Sequence, residues 1–133
     1  MNTPRVLLVD DMSTIRAFVR GLLAPMGWQL LEAENAQAAL DICTRAPPDV
    51  VLSDVRMPGM SGIEFCVALK ATKVGSLIPV VFLSGEKDAA TRERGLAAGA
   101  TAFLKKPIDA SELERTLRQL IDKTSRFQRR PPR

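Results

Sequence analysis

Reactive side chains follow four short apolar runs of this chain, at the points where residues 6–9, 50–53, 80–83 and 102–104 end. They are Asp10 and Asp11, Asp54, Ser84, and Lys105 and Lys106. If the runs are parallel strands of one sheet, their carboxyl ends line up along one edge, where ligands bind at the point of reversal of strand order. Three carboxylates, a hydroxyl and an ammonium would then meet in one cleft. That combination indicates a site for a divalent cation and a phosphoryl group.

Each acidic residue also has a purely structural explanation when it is taken alone. Asp10 and Asp11 precede a helix that they could cap, and Asp54 lies shortly before a Pro-Gly turn. Taken together, three carboxylates on neighbouring strands would raise one another's pKa and cost stability. A hard divalent cation with oxygen ligands removes that cost. The joint arrangement therefore favours a metal site.

Strand and helix patterns alternate five times along the chain, which predicts βαβ units and a parallel sheet. Continuous Val/Leu runs indicate strands covered on both faces. We predict an α/β fold, a doubly wound five-stranded parallel sheet of flavodoxin-like order 2-1-3-4-5 with five helices. Helix limits are predicted at Gly27, Asn35 and Gly99, and capping boxes at 61–64 and 109–112. The third helix is predicted to end at about Lys73 and the last helix near Lys123. The fourth helix is poor in large apolar residues, which makes it a candidate moving part.

Length and composition favour a single globular domain. The chain has 133 residues, 46% hydrophobic and 26% charged, and no run approaches the roughly 20 apolar residues of a membrane span. No signal-peptide pattern precedes the first strand, so a cytoplasmic location without membrane association is expected. Cys43 and Cys66 fall inside predicted helices, where we expect small buried hydrophobic side chains in a reducing compartment.

The basic character of the chain is confined to its end. The net charge is +4, but residues 1–122 hold all 15 acids against 14 Lys/Arg, and residues 123–133 hold five Lys/Arg and no acid. We therefore divide the chain into a domain over residues 1–123 and a basic, flexible tail over 124–133. Nucleic-acid binding by this tail is not expected, because its one aromatic, Phe127, gives no stacking pattern.

Four motifs together resemble the receiver domain of bacterial two-component response regulators, most closely the single-domain chemotaxis type. They are Leu8-Val-Asp-Asp-Met-Ser-Thr-Ile-Arg16, Asp54-Val-Arg-Met-Pro58, Leu83-Ser84-Gly85 and Lys106-Pro107. The resemblance extends over residues 4 to about 123. The strand order above is also that of the chemotaxis type, so it is not independent support.

The resemblance implies a phosphorylation-controlled switch in signal transduction rather than an enzyme. Asp54 would accept a phosphoryl group from a histidine kinase or a histidine phosphotransfer protein. Mg²⁺ would be bound directly by Asp11 and Asp54, through water by Asp10, and by the main-chain oxygen of Arg56. Self-phosphorylation and dephosphorylation would be the only Mg²⁺-dependent chemistry.

The resemblance also implies roles for the basic and switching residues. Spacing alone does not choose between Lys105 and Lys106, but the family pattern places the site lysine directly before the proline, in a cis Lys106-Pro107 unit. Lys106 would contact a phosphoryl oxygen. Ser84 would move to hydrogen-bond another, and Phe103 would be the switch aromatic that turns inward as Ser84 moves. The output would be the face formed by the fourth helix, the fifth strand and the last helix.

The chain departs from the family pattern at several points. Ser61 stands where Asp is frequent, with an equivalent capping ability, and Gly85 stands where alanine is common. Arg56 and Glu86 each lie two residues beyond a site residue. We hypothesise that they pair across the site mouth and modulate hydrolysis of the acyl phosphate, the alternative being two solvated rim charges.

The residues leave other functions open. The chain has no histidine, so it requires an external phosphohistidine donor. The main alternative is a Mg²⁺-dependent aspartate-nucleophile phosphatase, which would need Asp-x-Asp and usually a cap insertion; another is a flavin or nucleotide module, which the missing Gly-rich loop disfavours. The sequence does not specify the cognate kinase, the target, the pathway, the phosphorylation lifetime or the role of the tail. It also leaves open a monomer or a phosphorylation-dependent dimer, and a free-standing regulator or part of a longer protein.

Overall fold

Five parallel strands and five α-helices alternate in the computed structural model, which describes residues 3–85 and 89–128, with side chains in the last helix as far as Lys123. The strands are β1 Arg5–Val9, β2 Gln29–Ala33, β3 Val50–Asp54, β4 Val80–Ser84 and β5 Ala102–Lys105. The helices are α1 Ser13–Leu23, α2 Ala36–Arg45, α3 Gly62–Lys70, α4 Ala89–Ala97 and α5 Ala110–Gln128. Short 3₁₀ helices cover Ala24–Met26 and Gly75–Leu77.

The strand order is β2-β1-β3-β4-β5 and every pairing is parallel. The predicted doubly wound fold is therefore confirmed. The order reverses at β1 and β3, which are neighbours with Val9 opposite Ser53. The residues that follow these two strands thus share one edge of the sheet.

Alternate side chains of the central strands enter two separate cores. In β1, Val6 and Leu8 face α1 and α5, whereas Leu7 and Val9 face α2 and α3. Both faces are buried, which is why the strands are continuous apolar runs and not alternating ones. Cys43 and Cys66 lie in the second core, as predicted, and burial raises the pKa of the Cys43 thiol to about 12.

Several predicted helix limits are confirmed by their hydrogen bonds. The Asn35 side chain accepts from the Ala38 amide at 2.8 Å, and Ser61 and Glu64 form a reciprocal capping box. The Asp109 side chain accepts from the Glu112 amide at 3.1 Å, one half of the second predicted box. Gly27 and Gly99 adopt φ of 73° and 109°, the left-handed region in which glycine ends a helix without strain.

Two helix ends differ from prediction. The predicted end of α3 is about Lys73, but the helix ends at Lys70. The Thr72 hydroxyl donates to the Leu69 carbonyl and accepts from the Gly75 amide, so the chain enters a tight turn after the helix. The last helix continues to Gln128, beyond the predicted limit near Lys123. The proposed tail boundary therefore falls inside a helix, and the flexibility of residues 129–133 stays a prediction outside the described residues.

Candidate functional site

The edge of the sheet at β1 and β3 brings three acidic side chains together. Carboxylate oxygens of Asp10, Asp11 and Asp54 lie within 4.8 Å of one another. Asp10 is buried, Asp11 is exposed and Asp54 is intermediate. Residues separated by more than 40 positions along the chain thus share one cleft, as their places at the strand ends predict.

Local hydrogen bonds fix the first of these acids. The Asp10 amide donates to the Ala33 carbonyl at 3.1 Å, which extends the β1–β2 pairing by one residue. One oxygen of its carboxylate, Oδ1, accepts from the Met12 amide at 2.9 Å. The turn after β1 therefore aims the Asp10 side chain into the cleft while the chain turns into α1.

A glycine that the sequence patterns do not single out lets α3 begin close to Asp54. A Cβ atom at Gly62 would lie 2.1 Å from the Asp54 carbonyl oxygen, and the Gly62 amide donates to the Val55 carbonyl at 2.8 Å. Only glycine fits this approach of two backbone segments. Its place inside the capping box was the available signal.

The electrostatics of the cluster favour a bound cation. Burial raises the pKa of Asp10 above its usual range, and the negative charges of Asp54 and Asp11 raise it further; the Met12 amide and Lys106 act in the opposite direction. Like charges at this separation destabilise one another. A hard cation with oxygen ligands would relieve both the burial and the repulsion.

Of the two candidate lysines, the structure places Lys106 against the acidic cluster. Its Nζ atom lies 3.6 Å from Oδ1 of Asp54, whereas Lys105, the last residue of β5, is exposed. The Lys106-Pro107 bond is cis, as the resemblance implies. Ser84 is buried at the end of β4, and its carbonyl accepts from the Lys106 amide at 3.1 Å.

Phe103 lies beneath α4, between an aromatic ring and a cation. Its ring centroid is 5.4 Å from that of Phe82, and the Arg92 guanidinium carbon is 5.8 Å from the ring centroid. A Cβ atom at Gly95 of α4 would approach Cζ of Phe103 to 2.2 Å. The position of the ring thus depends on a glycine in the helix above it.

The rim of the site is only partly described. Arg56 is exposed and lines a cleft of about 700 Å³ between the β3–α3 loop and α4. Glu86 lies outside the described residues, so the hypothesised pair with Arg56 stays untested.

The donor set fits Mg²⁺ or a similar hard cation. Among the His, Cys, Asp and Glu side chains of residues 3–85 and 89–128, those of Asp10, Asp11 and Asp54 lie close enough together to hold a metal ion. All of their donors are oxygen atoms, the ligands that Mg²⁺ prefers, and no sulfur or imidazole that would favour zinc is among them. Together, the three carboxylates, a lysine and a hydroxyl contain the groups that phosphoryl transfer to a carboxylate requires.

Comparison with known proteins decides the family. The family model of the response regulator receiver domain matches residues 6–118 of this chain. The chain belongs to the response regulator receiver domain family. Receiver domains are the signalling switches of two-component systems, and the predicted resemblance is therefore confirmed.

Individual relatives agree with this assignment. The chain is 36% identical over 121 residues to the response regulator MprA of Mycobacterium sp. strain KMS, covering 91% of this chain and 52% of that protein. It is 34% identical over 119 residues to the phosphate regulon transcriptional regulatory protein PhoB of Pseudomonas aeruginosa, covering 90% and 52%. The chain thus spans about half the length of these curated relatives.

The structure of chemotaxis protein CheY4 of Vibrio cholerae is similar over its whole length. It superposes with a TM-score of 0.84 at 34% identity, covering 90% of this chain and 99% of that one. Neither the family match nor these relatives support the phosphatase alternative. Within the part of the chain that the structure describes, none of the helices has the length and apolar character to span a membrane.

Proposed function

We propose that this receiver domain accepts a phosphoryl group on Asp54 from a histidine kinase or a histidine phosphotransfer protein, with Mg²⁺ as cofactor. The observation that carries the proposal is the convergence of Asp10, Asp11 and Asp54 beside Lys106, which lies 3.6 Å from Asp54. An aspartate nucleophile, oxygen donors for a cation and a positive charge are what transfer to a carboxylate requires.

Asp54 supplies the nucleophile. One carboxylate oxygen forms the bond to phosphorus while the bond from phosphorus to the donor imidazole nitrogen breaks, and the imidazole keeps that electron pair. Asp11 and Asp54 would hold Mg²⁺ directly, Asp10 through water, and Arg56 through its main-chain oxygen. When bound, the ion withdraws charge from the phosphoryl oxygens and orients them.

Lys106 and Ser84 respond to the product. The Lys106 ammonium, already near Asp54, would contact one phosphoryl oxygen of the aspartyl phosphate, a charge-assisted hydrogen bond. Ser84 would move to donate a hydrogen bond to another. This local change in charge supplies the bias that a switch requires.

The proposed output is the face of α4, β5 and α5. Phe103 of β5 would turn further inward as Ser84 moves, and α4, whose buried residues are Thr91 and Gly95, has little apolar anchoring that opposes a shift. This face would bind a downstream protein target, as a monomer or as a phosphorylation-dependent dimer. Nucleic-acid binding by this chain and a membrane role are not proposed, and its cytoplasmic location stays a prediction.

Arg56 and Glu86 are proposed to tune the lifetime of the phosphorylated state from the rim. Their side chains follow the acceptor and the hydroxyl by two residues. A charge pair across the mouth would screen the phosphoryl group from attacking water.

The acceptor assignment is tested with acetyl phosphate and Mg²⁺ on the full chain, followed by intact mass spectrometry. We expect wild type and Asp41→Asn, which alters an exposed acid of α2, to gain one phosphoryl group. Asp54→Asn should gain none while keeping its circular dichroism spectrum, and EDTA should abolish the gain in wild type. An Asp54→Asn protein that gained the same mass at the wild-type rate would refute the assignment.

A further inference from the structure

We propose that Arg16 is a positioning residue of the acidic site, which acts by fixing the peptide unit between Asp10 and Asp11. This inference rests on the function proposed above, because it concerns the same carboxylates. It adds a residue of α1 that binds neither the metal nor the phosphoryl group.

Arg16 connects three elements with its guanidinium group. Its Nη1 atom donates to the main-chain oxygen of Asp10 at 2.5 Å, and its Nε atom donates to Oε1 of Glu32 in β2 at 3.0 Å. Only 17% of the Arg16 side chain is exposed. A guanidinium group is planar and presents several donors in a fixed geometry, so the two bonds constrain each other.

Glu32 is itself held in place from the other side. Arg20, one turn further along α1, also donates to its carboxylate. Burial acts to raise the pKa of Glu32, but the hydrogen bonds and charges of Arg20 and Arg16 outweigh it, so the net shift is downward. Glu32 therefore remains a carboxylate at neutral pH, and the network Arg20–Glu32–Arg16 ends on the Asp10 carbonyl.

The Asp10 carbonyl is the group through which Arg16 would affect the acidic site. It belongs to the peptide unit that joins Asp10 to Asp11, so the orientation of this unit helps to set the direction of both side chains. The amide and the carboxylate of Asp10 are bound by Ala33 and Met12. Arg16 donates to the carbonyl oxygen, and loss of this bond should let the peptide unit turn away from the site.

Electrostatics alone and a positioning role predict opposite changes in Mg²⁺ affinity when Arg16 is removed. Arg16 carries a positive charge close to a cation site, so its removal should tighten Mg²⁺ binding if charge alone mattered. A positioning role predicts weaker binding despite the loss of that charge. Partners that orient metal ligands typically change affinity by about 10- to 100-fold when removed.

The test measures Mg²⁺ affinity of the full chain by titration calorimetry. We expect Arg16→Gln to bind Mg²⁺ about tenfold more weakly than wild type. Arg16→Lys should also bind more weakly, because one ammonium does not reproduce the two-directional geometry. Arg20→Gln is the matched control: it removes a positive charge from α1 but leaves both Arg16 contacts, to Glu32 and to the Asp10 carbonyl. Its Mg²⁺ affinity should stay within about twofold of wild type, as expected for an exposed charge.

The outcomes separate this inference from the proposed function. If wild type bound no Mg²⁺, the proposed function would fail. If wild type bound Mg²⁺ and Arg16→Gln bound it equally or more tightly, the positioning role alone would be overturned. Thermal unfolding in EDTA checks that each variant folds. Should Arg16→Gln not fold, Glu32→Gln replaces it, compared with Glu34→Gln at an exposed neighbour; equal affinities of these two would overturn the inference as well.

Discussion

The Nζ atom of Lys106 lies 3.6 Å from Oδ1 of Asp54, although β5 and β3 are separated in the sheet by β4. The lysine side chain therefore crosses the end of β4, the strand that ends at Ser84. Its ammonium therefore supplies positive charge to an acidic cluster that belongs to other strands. Burial raises the pKa of Asp10, and the Lys106 ammonium opposes that rise; it would also compete with a metal for the carboxylates.

Replacing Lys106 should change cation binding and phosphorylation in opposite directions. Lys106→Met removes the competing charge, so Mg²⁺ affinity should rise by about threefold, a modest change because the pair is partly exposed. The initial rate of phosphorylation by acetyl phosphate should fall at least about tenfold, because a positive group at the phosphoryl oxygens is lost. Calorimetry and a mass-spectrometric time course measure the two effects.

Lys105 provides the control for this experiment. Lys105→Met removes the same charge from the adjacent, exposed position, and both quantities should stay within about twofold of wild type, as expected for an exposed charge. Equal effects of the two substitutions would show that net charge, not the contact with Asp54, is responsible.

Asp10→Asn should stabilise the metal-free protein. The Asp10 side chain is buried beside Asp54 and Asp11, and asparagine keeps an oxygen that accepts from the Met12 amide while removing one negative charge. In EDTA we expect the free energy of unfolding to rise by about 1 kcal/mol. Mg²⁺ should reduce or reverse this difference, because wild type should bind the ion more tightly than Asp10→Asn and so gain more stability from it.

Urea unfolding with EDTA and with Mg²⁺ measures this difference. Asp41→Asn, at an exposed site of α2, should change stability by less than about 0.5 kcal/mol in both conditions. A metal-free Asp10→Asn protein less stable than wild type would contradict the account of charge crowding.

The strands and the acidic cluster are predictable from the amino-acid sequence because both follow from short-range patterns. Buried parallel strands are continuous apolar runs, and in a 2-1-3 order the residues after strands one and three must be neighbours. Asp10 and Asp54 can therefore be paired from residue order alone. The strand order therefore places the residues that end β1 and β3 in the same site.

The features that the sequence does not reveal depend on groups that carry no pattern. Arg16 acts through a main-chain oxygen, and nothing in residue types marks which carbonyl a side chain will reach. The last helix continues past Lys123 because residues 124–128 include no glycine or proline, whereas its apolar periodicity ends earlier and so predicts a shorter helix. Contacts with main-chain acceptors and the ends of exposed helices therefore become visible only in the three-dimensional structure.

Gly95→Ala should have opposite effects on stability depending on residue 103. In wild type, the new methyl group would meet Cζ of Phe103 at 2.2 Å, so the ring must leave Phe82 and Arg92; we expect a loss of about 1–2 kcal/mol. In a Phe103→Ala background the clash is absent, and the higher helix propensity of alanine should add up to about 1 kcal/mol. Gly21→Ala, in α1 with open space around it, should stabilise both backgrounds alike. Urea unfolding of the double-mutant cycle measures these changes in the free energy of unfolding. If Gly95→Ala changed stability in the same direction in both backgrounds, the packing of the Phe103 ring would not depend on the missing side chain at Gly95.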